Sequence, residues 1–311
     1  MNHLHGDNID SFEDVTSDGN LVLIVGEQKK QLRVQSQCLS CASKVFRVMF
    51  SPPWSDDRNL SADNAKEISL LEDDAQALYI IFCVLHHRND ILPQELSPQQ
   101  VLQVAIAADK YDVSVALQYV RAQWLKHGQN DNSMDMAYLL AAAFLFDDAV
   151  AFEEIAMALI LQHRESYVLL LEDSLLAQIL TPKITDSLND GRNRMRAEIG
   201  TLLIHEKFHA CSCDWGKARS ATYEPLLLHY SPLHMLECSV SEAIEEITKV
   251  SQEGPGREYH PSFYGGGYAH EPSKHIAAIA EKIKLAKRRA SICIDCIQER
   301  SLEGSCRFKH K

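Results

Sequence analysis

The change of hydrophobic period near residue 36 constrains the fold of this chain more than any other feature. Residues 21–25 (LVLIV) form a short apolar run, residues 31–34 (QLRV) alternate, and Gly26 lies in the polar segment between them. This pattern is typical of a β-hairpin. From Ser36 onward the apolar residues recur at helical spacing, with one further strand expected at residues 66–71. The first part of the chain therefore predicts a small domain of the α+β class.

Helical spacing and capping residues define the helices of this domain. The segment that begins at Ser36 places five apolar residues on one face, namely Leu39, Ala42, Val45, Phe46 and Met49. Asp73 and Asp74 can cap a helix at residues 75–87, Ser97-Pro98 opens another, and residues 115–124 form a further one. We place the domain at residues 19–127, preceded by an acidic tail at residues 1–18 that lacks apolar periodicity and is expected to be disordered.

Two motifs in this region resemble those of BTB/POZ domains, and the resemblance is to the filamentous-fungal type. The first motif runs from residue 32 to 40 (LRVQSQCLS) and continues at residues 43–50 (SKVFRVMF). The second consists of two helix ends, residues 85–90 (LHHRND) and 108–112 (ADKYD). The match covers roughly 110 residues, from the hairpin to the last helix of the domain.

The resemblance implies a function through protein contacts, without catalysis. BTB/POZ domains commonly self-associate, and many dock a cullin scaffold to deliver substrates to ubiquitin ligation. In this chain the acidic tail replaces the segment through which many animal members exchange a strand, and the third helix ends in His86-His87-Arg88 where cullin-binding members often carry acidic residues. The interaction candidates are Phe46, Met49 and Phe50, residues 85–90 (Leu85–Asp90), and Asp109, Lys110, Tyr111 and Asp112.

Each of these candidates also has a purely structural interpretation. Phe46, Met49 and Phe50 can belong to the core, and the polar residues can cap helices. Asp90 and Asp112 are expected to be exposed and to brace Arg88 and Lys110 through ion pairs.

The rest of the chain predicts an all-α region. Helices are expected at residues 136–146, 150–161, 182–208 and 241–250, within a helical region at 133–250, and the pattern loosens after Cys211. A Gly- and Pro-rich loop at residues 254–272 leads to a C-terminal helix with a Cys-rich tail at residues 273–311, in which the helical period extends to about residue 297.

Composition limits the classes of partner. The chain has 43 acidic against 31 basic residues, so its net charge of -12 opposes binding of the whole chain to nucleic acid. No run approaches the roughly 18 apolar residues of a membrane span, and the N-terminus does not resemble a signal peptide. We therefore expect a cytoplasmic and/or nuclear protein with reduced cysteines and no membrane partner.

Four residues near the C-terminus have the spacing of a structural zinc site: Cys293, Cys296, Cys306 and His310. Thiolate and imidazole ligands would close a tetrahedral site and order a tail that has few apolar residues. Cys211 and Cys213 could join this site or form another. In the alternative interpretation, Cys293 lies on the apolar stripe of the last helix and is simply buried.

Two further motifs suggest other functions. His205-Glu206-x-x-His209 matches the pattern in which two histidines bind zinc and the glutamate acts as general base, so a zinc-dependent hydrolase is an alternative. No third ligand stands out downstream, and Cys211 and Cys213 would compete for the metal.

The basic run at residues 284–289 (KLAKRR) suggests a nuclear regulator, although such runs are more often the solvated face of a helix.

Overall fold

The structure is a computed structural model, and it describes residues 12–51, 65–128, 132–208, 210–231, 233–253, 258–260 and 268–299. For residues 12, 13, 258–260, 268 and 269 it describes the backbone alone. The chain forms two compact units: unit 1 comprises Met1–Asn130 with Tyr138–Ala151, and unit 2 comprises Asp131–Ala137 with Phe152–Lys311. Among the described helices, none combines the length and the apolar character needed to cross a membrane.

Unit 1 contains a four-stranded sheet in the order β1-β3-β2-β4. Its strands are β1 (Phe12–Asp14), β2 (Leu21–Val25), β3 (Lys30–Val34) and β4 (Lys66–Leu70). β2 and β3 form the expected hairpin, with Leu23 opposite Leu32, and β4 lies parallel to β2. Gly26, at φ +71°, supplies the left-handed conformation that the turn needs. β1 was not predicted: it lies within the segment assigned to the acidic tail, and it pairs in parallel with β3. Residues 1–11 lie outside the described part of the chain.

The helices of unit 1 follow the capping signals of the sequence. They are α1 (Ser36–Ala42), α2 (Lys44–Met49), α3 (Ala75–Leu85), α4 (Pro98–Lys110) and α5 (Gln118–Trp124). The side chain of Asp74 caps α3 by accepting from the backbone N–H of Ala77. Ser97 and Gln100 form a reciprocal capping box at the start of α4.

The segment after Ser36 forms two helices, which Ser43 separates, and its apolar residues do not all share the face that their spacing predicts. Ser43 is extended at φ −135°, and its hydroxyl caps α2 by accepting from the backbone N–H of Phe46. The same hydroxyl donates to the carbonyl oxygen of Tyr111 at 2.5 Å. The break rotates α2 relative to α1, so Val45 is 36% exposed and does not belong to the predicted apolar face.

Phe46 lies at the centre of an aromatic cluster in unit 1 and is fully buried, as the sequence predicted. Its ring stacks on Tyr111 with a centroid distance of 4.5 Å and on Phe50 at 5.6 Å. Phe82 of α3 contacts it at a tilted angle with a centroid distance of 5.9 Å. The cluster thus joins α2, α3 and the end of α4.

Two helices, α6 (Ser133–Leu145) and α7 (Ala149–Gln162), contribute residues to both units. Unit 2 continues with a 3-10 helix (Tyr167–Glu172), α8 (Ser174–Ile179), α9 (Pro182–Phe208), α10 (Asp214–His229), α11 (His234–Glu237), α12 (Val240–Gln252), β5 (Glu258–His260), β6 (Tyr268–His270), α13 (Pro272–Ala290) and α14 (Ile294–Ile297). Four of these helices correspond to the predicted segments at 136–146, 150–161, 182–208 and 241–250.

The structure differs from the sequence prediction for this region in three places, and the first of them departs from the all-α class. β5 and β6 form an antiparallel pair inside the segment predicted as a loop, residues 254–272. α10 follows Cys211, where the sequence indicated no helix. The C-terminal helix ends at Ala290 because Ser291, at ψ 146°, is extended, and the apolar period that continues to residue 297 belongs in part to the separate helix α14.

Candidate functional site

The loop after α3 in unit 1 is fixed by Arg88. Its guanidinium donates to both carboxylate oxygens of Asp90, at 2.9 and 3.0 Å, and to the backbone carbonyl of Val15 at 2.7 Å. The predicted pair of Asp90 with Arg88 is therefore confirmed. The hydrogen bond from Arg88 holds the pKa of the exposed Asp90 carboxyl below its usual range.

The end of α4 is fixed by a different acidic residue from the one predicted. Lys110 donates to Asp73 at 2.7 Å, and the Tyr111 hydroxyl donates to the other oxygen of Asp73 at 2.8 Å. The predicted pair of Lys110 with Asp112 is wrong, because Asp112 occupies an exposed left-handed turn position at φ 51° just after the helix. Burial, followed by the hydrogen bond to Asp73, raises the pKa of Tyr111.

His86 connects the end of α3 to the residue before α1. Its Nδ1–H donates to the carbonyl of Phe82 at 2.8 Å, and its Nε2 accepts from the backbone N–H of Gln35 at 2.9 Å. Burial lowers the pKa of His86, so the imidazole is neutral in the folded protein. The histidine of the predicted helix-end motif therefore has a structural role between α3 and α1.

An apolar face of α2 is exposed to solvent in unit 1. Val48 is 74% exposed, and Val45 lies one helical turn before it. Arg47 is directed back to α1, where it donates to the carbonyl of Ser40 at 3.1 Å, so it does not cover this face. Phe46, Met49 and Phe50 were the predicted interaction candidates of this segment, and Val48 was not among them. Phe46 is buried, whereas Met49 and Phe50 are half-buried.

The glutamate of the predicted hydrolase motif lies in a cluster of cations in unit 2. Glu206 is 2% exposed; its Oε1 accepts from Lys282 at 2.8 Å and its Oε2 lies 3.4 Å from Arg219. Burial raises the pKa of Glu206, but the hydrogen bond from Lys282 and the charges of Arg219 and Lys282 outweigh burial and place it below its usual value. A carboxylate stabilised in this way is a weak general base.

Among the described residues, the histidine of that motif does not belong to a group with metal-ligand geometry. The side chain of His205 is half exposed and lies beside Glu206 and Lys282, with Nδ1 3.3 Å from the Lys282 amine. His209 lies outside the described residues. Within the described residues, the groups with metal-ligand geometry do not include His205 or Glu206.

His275 and Tyr223 extend the Glu206 cluster. Arg219 donates to Nδ1 of His275 at 2.9 Å; because a guanidinium only donates, Nδ1 accepts and Nε2–H donates to the Tyr223 hydroxyl at 3.0 Å. Burial and then the charge of Arg219 lower the pKa of His275, so this imidazole is neutral. The cluster therefore connects α9, α10 and α13 through one carboxylate and its cationic partners.

The zinc site predicted near the C-terminus lies only partly in the described chain. Cys293 is buried just before α14, whereas Cys296 within α14 is exposed. Cys306 and His310 lie outside the described residues. The four-ligand set stays a prediction.

A second group of soft ligands was not assembled by the sequence analysis. The donor atoms of Cys211, Cys213 and His270 all lie within 4.8 Å of one another. His270 belongs to β6, and it follows Cys213 by 57 residues, so no local spacing motif reveals the group. A further group, formed by His229, His234 and Cys238, includes the exposed His229.

The basic run of α13 is partly engaged within unit 2. Arg289 donates to Glu198 at 3.0 Å, and its backbone carbonyl accepts from Arg194 at 2.7 Å. Lys284 lies 3.8 Å from Glu281 one turn earlier. These pairs are typical of the solvated face of an amphipathic helix.

Comparisons of this chain with protein-family models, with curated proteins and with solved structures found no match. The functional interpretation therefore rests on the residues and contacts described above.

Proposed function

We propose that this protein acts as a non-enzymatic interaction module of the BTB/POZ type, and that unit 1 carries the interaction. One observation supports this proposal above the others: the residues of the BTB-like motif assemble around Phe46 and leave an apolar face of α2 open to solvent. The two helix ends of the motif are also held by specific contacts, from Arg88 to Asp90 and from Lys110 to Asp73.

The partner that we propose for the α2 face is a second copy of the chain. Val45 and Val48 are three residues apart on one short helix, so a two-fold axis beside α2 would bring the same two side chains together from each copy. The BTB resemblance implies self-association of this kind. The third helix ends in His86-His87-Arg88 and lacks the acidic residues that the family associates with cullin contact, so we propose self-association ahead of a cullin-adaptor role.

The mass of the intact protein in solution tests this proposal. We expect a dimer for the wild type and a monomer for Val48→Asp, because a carboxylate at this position would be desolvated at the interface. Val168→Asp is the matched control, since Val168 is a 58% exposed valine in unit 2, and we expect it to leave the dimer intact.

A wild-type protein that stays monomeric at high concentration, or a dimer unaffected by Val48→Asp, would contradict the proposed surface. Adding a purified cullin N-terminal region to the same measurement tests the adaptor role. Formation of a complex by the monomeric Val48→Asp variant would assign cullin binding to another face of the protein.

A further inference from the structure

We propose that unit 2 holds one structural zinc ion through Cys211, Cys213 and His270. The site would join the segment between α9 and α10 to strand β6. This inference is independent of the proposed function, because all three residues lie in unit 2 and none belongs to the α2 face.

The distances among the three donors suit a tetrahedral zinc ion. Zn–S bonds of about 2.3 Å and Zn–N bonds of about 2.0 Å place two sulfurs about 3.8 Å apart and a sulfur and a nitrogen about 3.5 Å apart. Cys213 Sγ lies 3.2 Å from His270 Nε2, and all three donors lie within 4.8 Å of one another. Movements of the donor atoms by a few tenths of an ångström to about 1 Å would therefore let all three coordinate one zinc ion.

The chemistry of the donors selects the metal. Two thiols and one imidazole suit zinc, whereas magnesium and calcium require oxygen ligands. On binding, each thiol releases its proton to solvent and coordinates as a thiolate. In this proposal the fourth position goes to water.

Neighbouring groups hold two of the donors in place. Cys213 is the N-cap of α10, and the backbone N–H of Gly216 donates to its sulfur at 3.3 Å. A hydrogen bond and the positive end of the helix both favour a thiolate at this position. The Trp215 ring stacks on His270 with a centroid distance of 4.4 Å and an interplanar angle of 3°, which fixes the orientation of the imidazole.

Gly216 lets the backbone of Cys211 approach α10. A Cβ atom at position 216 would lie 1.9 Å from the carbonyl oxygen of Cys211, a distance that no packed structure tolerates. The absence of a side chain at Gly216 therefore allows Cys211 and Cys213 to lie on the same side of the helix start, facing His270.

Zinc binding by the intact, reduced, metal-depleted protein tests the site. We expect at least one zinc ion per chain by native mass spectrometry, because the predicted C-terminal ligand set would add a second, and competition with a chromophoric chelator gives the affinity. Cys213→Ser and His270→Ala should each weaken binding by at least roughly 100-fold, since even changes outside the ligand set cost about 10- to 100-fold. Cys238→Ser and Cys296→Ser are the matched controls, and they should leave the affinity within about threefold of the wild type.

Cobalt(II) provides a second measurement that needs no variant. The wild-type protein should show thiolate-to-cobalt charge-transfer absorption together with the visible bands of a tetrahedral ion. Absence of bound zinc and of this spectrum would overturn the proposal. Loss of zinc in Cys238→Ser or Cys296→Ser, with Cys213→Ser unaffected, would also overturn it. Such a result would assign the ion to the group that contains Cys238 or to the predicted C-terminal ligand set that contains Cys296.

Discussion

The two units bury different kinds of side chain. Among the described residues of unit 1, Ser43 is the polar or charged residue that is buried. Unit 2 buries His163, Thr185, Arg192, Glu206, Ser239, Ser251 and Asp295. Unit 1 is therefore stabilised mainly by apolar and aromatic packing, whereas unit 2 depends on specific polar contacts between its helices.

Arg192 illustrates how such contacts work in unit 2. Its guanidinium donates to the backbone carbonyls of His163 and Glu165, at 3.1 and 2.6 Å, and lies over the Tyr167 ring at 4.5 Å from the centroid. Burial raises the pKa of Tyr167 to about 12, against the opposing charge of Arg192. An apolar residue in place of Arg192 would leave the two carbonyls without this donor, so the contact specifies how α9 packs.

The largest effect that we expect comes from the aromatic cluster of unit 1. Phe46→Ala should lower the free energy of unfolding by about 3 to 5 kcal/mol, because Phe46 is fully buried and its removal leaves a cavity. Hydrogen exchange measured by mass spectrometry should show faster exchange in α3 and α4. Val115→Ala, also in unit 1, is the control and should have little effect, since Val115 is 84% exposed and lies outside the α2 face. Unchanged exchange in Phe46→Ala would show that this cluster does not stabilise unit 1.

A smaller effect is expected from the Glu206 cluster. Glu206→Gln should destabilise unit 2 by about 2 to 3 kcal/mol, because Arg219 is left buried beside a neutral amide. Glu281→Gln, at an exposed position of α13, is the control and should change stability by less than about 0.5 kcal/mol. Thermal unfolding of both variants provides the measurement.

The same Glu206→Gln variant also tests the hydrolase alternative. A metal-dependent peptidase activity in the wild type that disappears in this variant, with the fold and bound zinc retained, would contradict a purely structural role for Glu206.

The smallest effect concerns the acidic residue that fixes the end of α4. Asp73→Asn should cost about 1 kcal/mol, because it weakens the contacts with both Lys110 and Tyr111. Asp112→Asn should be neutral to within about 0.5 kcal/mol, since asparagine also tolerates the left-handed conformation at this position. Chemical denaturation measures the free energy of unfolding of both variants. Equal losses of stability in the two variants would indicate that Asp112 also pairs with Lys110.

Sequence alone predicted the elements whose signals are local. The hairpin, the capped starts of α3 and α4 and the helix from Pro182 to Phe208 all follow from residues within one or two turns. α10 was missed because it contains Gly216 and Pro225 and lacks a clear apolar stripe. The break at Ser291 was missed because the helical period continues beyond it.

The candidate sites were predictable only where the partners are close in sequence. The pair of Arg88 with Asp90 spans two residues and was predicted correctly. Asp73 precedes Lys110 by 37 residues, and His270 follows Cys213 by 57, so only the fold brings these partners together. A sequence pattern at short spacing, as in the four ligands near the C-terminus, is easier to notice than a group assembled by the fold.

The short outer strands of the four-stranded sheet also affect how copies of the chain can associate. β1 and β4 lie at the two edges of the described sheet, and both carry charged residues, among them Asp14, Lys66 and Glu67. Short, charged edge strands oppose edge-to-edge pairing, which is the usual route from a sheet to aggregates. Unit 1 can therefore present an apolar helix face to a partner while its sheet resists uncontrolled growth into fibrils.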